Sequence, residues 1–251
     1  MQIRVIGTIE ELGRQAAARA AAALTRAIAT RGRARLVAAT GNSQFVFLDA
    51  ILATPGIDWS LVELFHLDEY LGLPAEHPGS FSRFMRDRLI TPTGIVGHHL
   101  IDGMGEPGAV IAALTTALRS APVDLAVTGI GENGHLAFNE PPADFTTTEA
   151  FKVVALDETS RRQQVGEAWF GQVEDVPTHA ITMTVPEILK TTEIVCLAHG
   201  TRKARAVAAC FNRAPSPDAP ASILTTHPRA TVFLDTAAAS LLLPAVEAAH
   251  A

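Results

Sequence analysis

The chain reads as an α/β protein in which a mostly parallel, Rossmann-like sheet lies between helices as three αβα layers. Short apolar runs alternate with longer helical stretches along the whole chain, which is the signature of parallel strands joined by crossover helices. With 251 residues, 48% of them hydrophobic, the chain can bury one large core, and a single domain over 1–251 is the expectation. The residues that could do chemistry cluster just after apolar runs, at Thr40, Asp68, Gly129 and Gly200. Open α/β sheets bind ligands in that place, outside the carboxyl ends of their strands.

The elements follow in order. Met1-Gln-Ile-Arg-Val-Ile has the look of a first strand rather than of a signal peptide. A helix over 9–30 leads to a strand at 36–39, and a helix over 43–53 leads to a strand at 62–67. Ser80 caps a helix over 80–89. Residues 91–106 are irregular and contain His98 and His99, whose adjacency sends them to opposite faces of a strand and argues against a shared metal. A helix over 107–119 precedes a buried strand at 123–128. Helices over 159–170, 201–210 and 236–248 alternate with strands at 194–199 and 231–234. The Pro-rich stretch 215–220 is a surface loop before a short helix at 221–224.

Composition excludes several classes. A net charge of −6 argues against a nucleic-acid surface, which needs clustered Lys and Arg. Local basic clusters at 31–35, 83–88 and 202–205 flank helix ends, where a small anion fits better than a duplex. The Ala-rich stretch 16–29 is interrupted by Arg19 and Arg26, so no membrane span is expected. Cys196 and Cys210 have neither metal-ligand spacing nor a disulfide framework, and a reducing, cytoplasmic setting fits them.

Four clusters carry the chemistry. Thr40-Gly41-Asn42-Ser43 opens a helix and has the makings of an anion site; the other reading is a plain N-cap at Asn42 or Ser43. Asp68-Glu69 ends a strand, and adjacent carboxylates diverge, so one faces a cleft; Asp68 is the better candidate. Gly129-Ile-Gly-Glu-Asn-Gly-His-Leu-Ala-Phe-Asn-Glu-Pro141 is the richest segment. Its glycines, Gly131 among them, bend the backbone close to a ligand. Its His135 and Glu140 are a proton carrier and a carboxylate able to orient it. His199-Gly200-Thr201-Arg202-Lys203 repeats the first arrangement and puts Lys203 in a first helical turn, where a bound anion would offset its unfavourable interaction with the helix dipole.

Together with Leu67-Asp-Glu-Tyr-Leu-Gly-Leu-Pro, His77-Pro, Val176-Pro-Thr-His-Ala-Ile-Thr182 and Gly200-Thr-Arg-Lys-Ala204, these segments resemble the glucosamine-6-phosphate deaminase family over nearly the whole chain. That family is related to 6-phosphogluconolactonases and ribose-5-phosphate isomerases. The lactonase branch typically has Asp-Glu-Arg where this chain has Asp68-Glu69-Tyr70, and Thr-Ala-Ser after its Gly-His. The resemblance implies ring opening, isomerisation and loss of ammonia from an aminosugar phosphate, with no metal or organic cofactor. It implies Asp68 as the base at C2, His135 as the proton carrier of ring opening, and Glu140 as the group that orients the imidazole. Thr40, Gly41, Asn42, Ser43, Gly131 and Lys203 would hold the substrate. A related isomerase or lactonase, and a sugar-phosphate sensor without turnover, are the other readings. The partner is then a small molecule, and the oligomeric state, a homo-oligomer included, stays open.

Three departures stand out. Many members have Asp where this chain has Asn133, which can accept a bond from the imidazole but adds no charge. The Arg that meets the phosphate in an Asn-x-Arg-Phe-Phe pattern is replaced by Ala168, so either Arg161 or Arg162 reaches in from two helical turns earlier or the substrate differs at that end. Finally, only Lys152 is basic within 143–153, where allosteric members carry a basic stretch, so no activation by an N-acetylated sugar phosphate is expected.

Overall fold

The computed structural model describes residues 1–244. The chain enters through β1 (Gln2–Ile6), α1 (Ile9–Arg31) and β2 (Ala34–Ala38), then α2 (Phe45–Ala53), β3 (Val62–His66) and the short β4 (Asp68–Tyr70). Next come α3 (Phe81–Met85), the single turn α4 (Thr91–Thr93), β5 (His98–His99), α5 (Pro107–Arg119) and β6 (Leu125–Gly129). β7 (Phe151–Ala155), α6 (Glu158–Gly166), β8 (His179–Met183), α7 (Val185–Ile188) and β9 (Glu193–Ala198) follow. The described chain closes with α8 (Ala204–Phe211), β10 (Ala230–Asp235) and α9 (Thr236–Ala239).

Seven strands form one parallel sheet in the order β1-β10-β9-β6-β2-β3-β5. Its central strands are buried on both faces, and their side chains alternate between two cores. Leu36, Leu64, Val195 and Leu197 join the face packed by α1 and α2. Val37, Phe65, Cys196 and Ala198 join the opposite face. That double burial is why these strands read as uninterrupted apolar runs, each buried aliphatic side chain contributing roughly 1.5–3 kcal/mol. Cys196 is fully buried within one of them, as a strand residue should be. α1 presents Leu12, Ala16, Ala20, Leu24 and Ala27 to the sheet; the small Ala side chains let it lie close.

Two features differ from the pattern the sequence predicts. α6 stops at Gly166 instead of continuing to 170, because Ala168 takes a left-handed φ of 64° and turns the chain out of the helix. The helix expected over 80–89 is present and runs on to Thr93, but with a π turn over Arg86–Ile90 between α3 and α4. A second sheet is also present, antiparallel in the order β4-β8-β7. It fixes Asp68 opposite Thr182. The part of the helix expected over 236–248 that follows residue 244 lies outside the described residues. Among those described, no helix is long and apolar enough to cross a membrane.

Candidate active site

Four adjacent strands, β9, β6, β2 and β3, send their carboxyl ends to one edge of the sheet. The turns that follow them wall an open cleft of about 450 Å³. Thr40, Gly41, Asn42 and Ser43 come from β2, Asp68 from β3, Gly131 and His135 from β6, and Lys203 from β9; all of them line it. The chain order reverses between β2 and β6, so the cleft sits at the topological switch of the sheet, where such folds place ligands.

The β2 and β9 turns have the same construction. Gly41, with φ 97°, precedes a 3-10 turn over Asn42–Gln44 and then α2; Gly200, with φ 85°, precedes a 3-10 turn over Thr201–Lys203 and then α8. A side chain at either glycine would be strained, since L-residues rarely hold these angles. Neither turn has a side-chain cap, so the reading of Asn42 or Ser43 as a plain N-cap does not hold. No side chain of either turn takes its first amides, and that of Asn42 donates to Glu167 Oε2 at 3.3 Å. Burial lowers the pKa of Lys203, while Glu167 and Glu132 pull it back up.

The two acidic neighbours divide as their adjacency requires. Glu69 turns inward and accepts from the Phe81 and Ser82 amides at 3.1 and 2.7 Å and from the Ser80 hydroxyl at 2.9 Å, which anchors the start of α3. Asp68 turns to the cleft. Burial, with the nearby Glu69 charge, pushes its carboxyl up to about 8, and the Phe138 amide offsets only part of that. An isolated acid in an apolar wall keeps its proton for the same reason.

His135 is set from behind. Its Nδ1 lies 3.0 Å from the Ser160 hydroxyl and 3.4 Å from Glu140 Oε2. This arrangement leaves Nε2 for exchange with a ligand. The ring packs directly on Gly131, where an added Cβ would meet Cε1 and Nε2 at 2.3 Å. Burial raises the Glu140 carboxyl, but hydrogen bonds from His135, Ser160 and Asn133 and the His135 charge outweigh it and hold it below its ordinary value. Glu140 and Asn133 do not line the cleft; they form the layer beneath His135.

Asn133 acts differently from the expectation that it would accept from the imidazole. Its Oδ1 accepts the backbone N–H of His135 at 3.0 Å, and its Nδ2 donates to Glu140 at 2.7 Å and to Asp157 at 2.9 Å. The rest of the loop hangs on the second sheet. Thr182 Oγ1 accepts the Phe138 amide at 3.0 Å, and Asn139 Nδ2 donates to the Leu136 and Met183 carbonyls at 2.7 and 2.9 Å. The same strand β8 therefore positions both Asp68 and the His135 loop.

A family model described as glucosamine-6-phosphate isomerases/6-phosphogluconolactonase matches residues 7–233. The chain belongs to that family. A protein named glucosamine-6-phosphate deaminase from Exiguobacterium is 42% identical over 84% of this chain and 81% of its own. Another of that name, from Lactobacillus delbrueckii subsp. bulgaricus, is 38% identical over 96% of this chain and 100% of its own. Among solved structures, a monomeric glucosamine-6-phosphate deaminase superposes with a TM-score of 0.87 at 30% identity, covering 96% of this chain and 100% of that one.

Several basic residues do not go where the sequence would send an anion. Arg161 donates to the Val173 and Val176 carbonyls and Arg162 pairs with Glu158; neither lines the cleft, so neither fills in for the arginine that the resemblance leads one to expect at 168. Arg31 and Arg35 are engaged by Asp124 and Glu63, Arg83 and Arg88 by Asp87 and Asp49. Only the cluster at 202–205 reaches the cleft, and there Arg202 is paired with Glu132 at 2.7 Å. Conversely, α6 delivers residues that sequence reasoning missed: Asp157 and Ser160 behind His135, and Gln163, Gln164 and Glu167 on the cleft wall. Their spacing of three and four is the one signal that could have found them, since it marks one face of a helix.

Proposed function

We propose that this chain converts glucosamine 6-phosphate and water to fructose 6-phosphate and ammonia. The observation that carries the reading is the placing of Asp68 and His135 on one cleft between two amide-lined turns, in a chain whose relatives bear that activity in their names. The turns at Gly41 and Gly200, with Lys203, take the phosphate. His135 then takes the O1 proton through Nε2 and returns it to O5 as the C1–O5 bond breaks. Glu140 stabilises the imidazolium formed in between.

In the open chain, Asp68 removes the C2 proton. The electron pair forms the C1–C2 double bond of an enolamine while the C2 ammonium gives up a proton to the C1 oxygen and becomes an amine. Return of the C2 proton from Asp68 to C1 leaves an iminium at C2. Water adds there and ammonia leaves, giving the ketone. The high pKa of Asp68 concerns the ligand-free cleft. A C2 ammonium drawn up beside it favours the carboxylate, so the substrate readies its own base. We place the reaction in the cytoplasm, where the two buried cysteines stay free.

Purified protein in EDTA, given glucosamine 6-phosphate, should release ammonia and fructose 6-phosphate in equal amounts. Ring isomerisation without ammonia, or hydrolysis of a 6-phosphogluconolactone in its place, would move the chain to another activity of its family.

A further inference from the structure

We infer that Glu167 sets the affinity of the cleft for phosphate by occupying the anion seat when no ligand is bound. Its carboxylate, and not an arginine, is what α6 presents to the turn at Gly41. Oε2 accepts from the Asn42 backbone N–H at 3.3 Å and lies 3.7 Å from where a Cβ on Gly41 would stand. That amide belongs to the unsatisfied set at the start of the Asn42–Gln44 turn, the group that would otherwise receive a phosphate oxygen. Glu167 also faces Lys203 across the cleft and is the charge that most supports the lysine's protonation.

The carboxylate is held there from two further sides. Gln163 Nε2 donates to Oε1 at 2.8 Å and Trp169 Nε1 donates to Oε2 at 3.4 Å. Ala168, between Glu167 and Trp169, is one of two described non-glycine residues with positive φ; the other, Ala137, lines the cleft. A left-handed alanine is unfavourable in itself, and here it is the bend that turns Glu167 and Trp169 in together. A phosphate dianion and this carboxylate repel each other if both use the Asn42 amide and Lys203. Binding therefore requires the carboxylate to withdraw, and the ligand's apparent affinity falls by the cost of that withdrawal. Glu167 is thus an affinity-setting residue: the cost falls on every ligand that seats a phosphate here, and contacts elsewhere in the cleft offset it.

The inference rests on the proposed phosphate seat but not on which sugar is processed, and the test separates the two. Calorimetric titration with inorganic phosphate should show Glu167→Gln binding roughly 10-fold more tightly than the parent. In glucosamine 6-phosphate kinetics KM should fall by more than kcat changes. Unchanged or weaker phosphate binding in Glu167→Gln would overturn the inference, even if ammonia is released normally. Tighter phosphate binding in a protein that releases no ammonia would uphold it and refute the proposed substrate. A second measurement needs no change at 167. In a Trp59→Phe background Trp169 is the sole tryptophan, and phosphate should shift its fluorescence as the bond to Glu167 breaks. Saturation by phosphate with no change in emission would contradict displacement.

Discussion

Asn133 joins Asp157 by a 2.9 Å hydrogen bond, and the same amide nitrogen reaches Glu140 at 2.7 Å. A neutral donor thus stands between two carboxylates and lies under His135. An amide fits this position better than the Asp that the family resemblance leads one to expect. With Asp157 at the head of α6, an aspartate at 133 would make a third negative group with nothing to donate.

Asn133→Asp should therefore lower kcat/KM by roughly 10- to 100-fold, since a carboxylate crowded by like charges gives up its role or takes a proton. Asp157→Asn in that background should restore most of the loss, because Asn also caps a helix. Strictly additive effects in the double-mutant cycle would show that positions 133 and 157 do not interact.

Glu140→Gln removes the charge that opposes the imidazolium while keeping the shape. A loss of about 10³-fold or more in kcat is expected, by the logic of a triad. Ring opening, followed by mutarotation rates of the substrate, should fall with it. Undiminished ring opening would deny Glu140 its orienting role.

Gly131→Ala puts a methyl group where the His135 ring now lies, at 2.3 Å. The ring must move, and a displacement of about 1 Å can cost 10²-fold in rate. Stability should change much less than turnover. Equal losses of both would mark Gly131 as a folding position only.

Asp68 links activity and stability to pH in opposite directions. Burial raises its carboxyl from 3.8 to about 8. The folded state therefore holds a proton that the unfolded chain has lost over that interval, and the stability it confers is complete below the lower value and gone above the upper one. Asp68→Asn should accordingly stabilise the protein by roughly 2–5 kcal/mol at pH 8 and by almost nothing below pH 4, as urea unfolding would measure. In the active enzyme, kcat/KM should rise with pH toward 8, while kcat should level off at lower pH because bound substrate favours the carboxylate. A flat kcat/KM profile would contradict the assignment.

The parts of this site that were legible in the sequence are those set by local chemistry. Each of the four turns announces itself with a glycine or an acid directly after an apolar run, and the strand-end rule gathers them without any knowledge of strand order. Asp68 could be preferred over Glu69 because it lies nearest the strand end, and Ser80 could be read as a cap. What stayed hidden depends on long-range pairing. β4 is three residues long, too short to show a period, and it exists because Thr182 and its neighbours arrive from far along the chain. The role of α6 was hidden for a related reason: a helix polar on most of its surface does not disclose which face is turned inward. Arg161 and Arg162 looked like replacements for the missing arginine, yet the left-handed turn at Ala168 presents Glu167 instead.

The most direct test of the central claim follows the C2 proton. With glucosamine 6-phosphate deuterated at C2, ammonia release should slow by a primary isotope effect, and some fructose 6-phosphate should carry the deuterium at C1; Asp68→Asn should abolish both release and transfer. Ammonia release without an isotope effect, or undiminished transfer in Asp68→Asn, would contradict the assignment of Asp68 as the base that moves this proton.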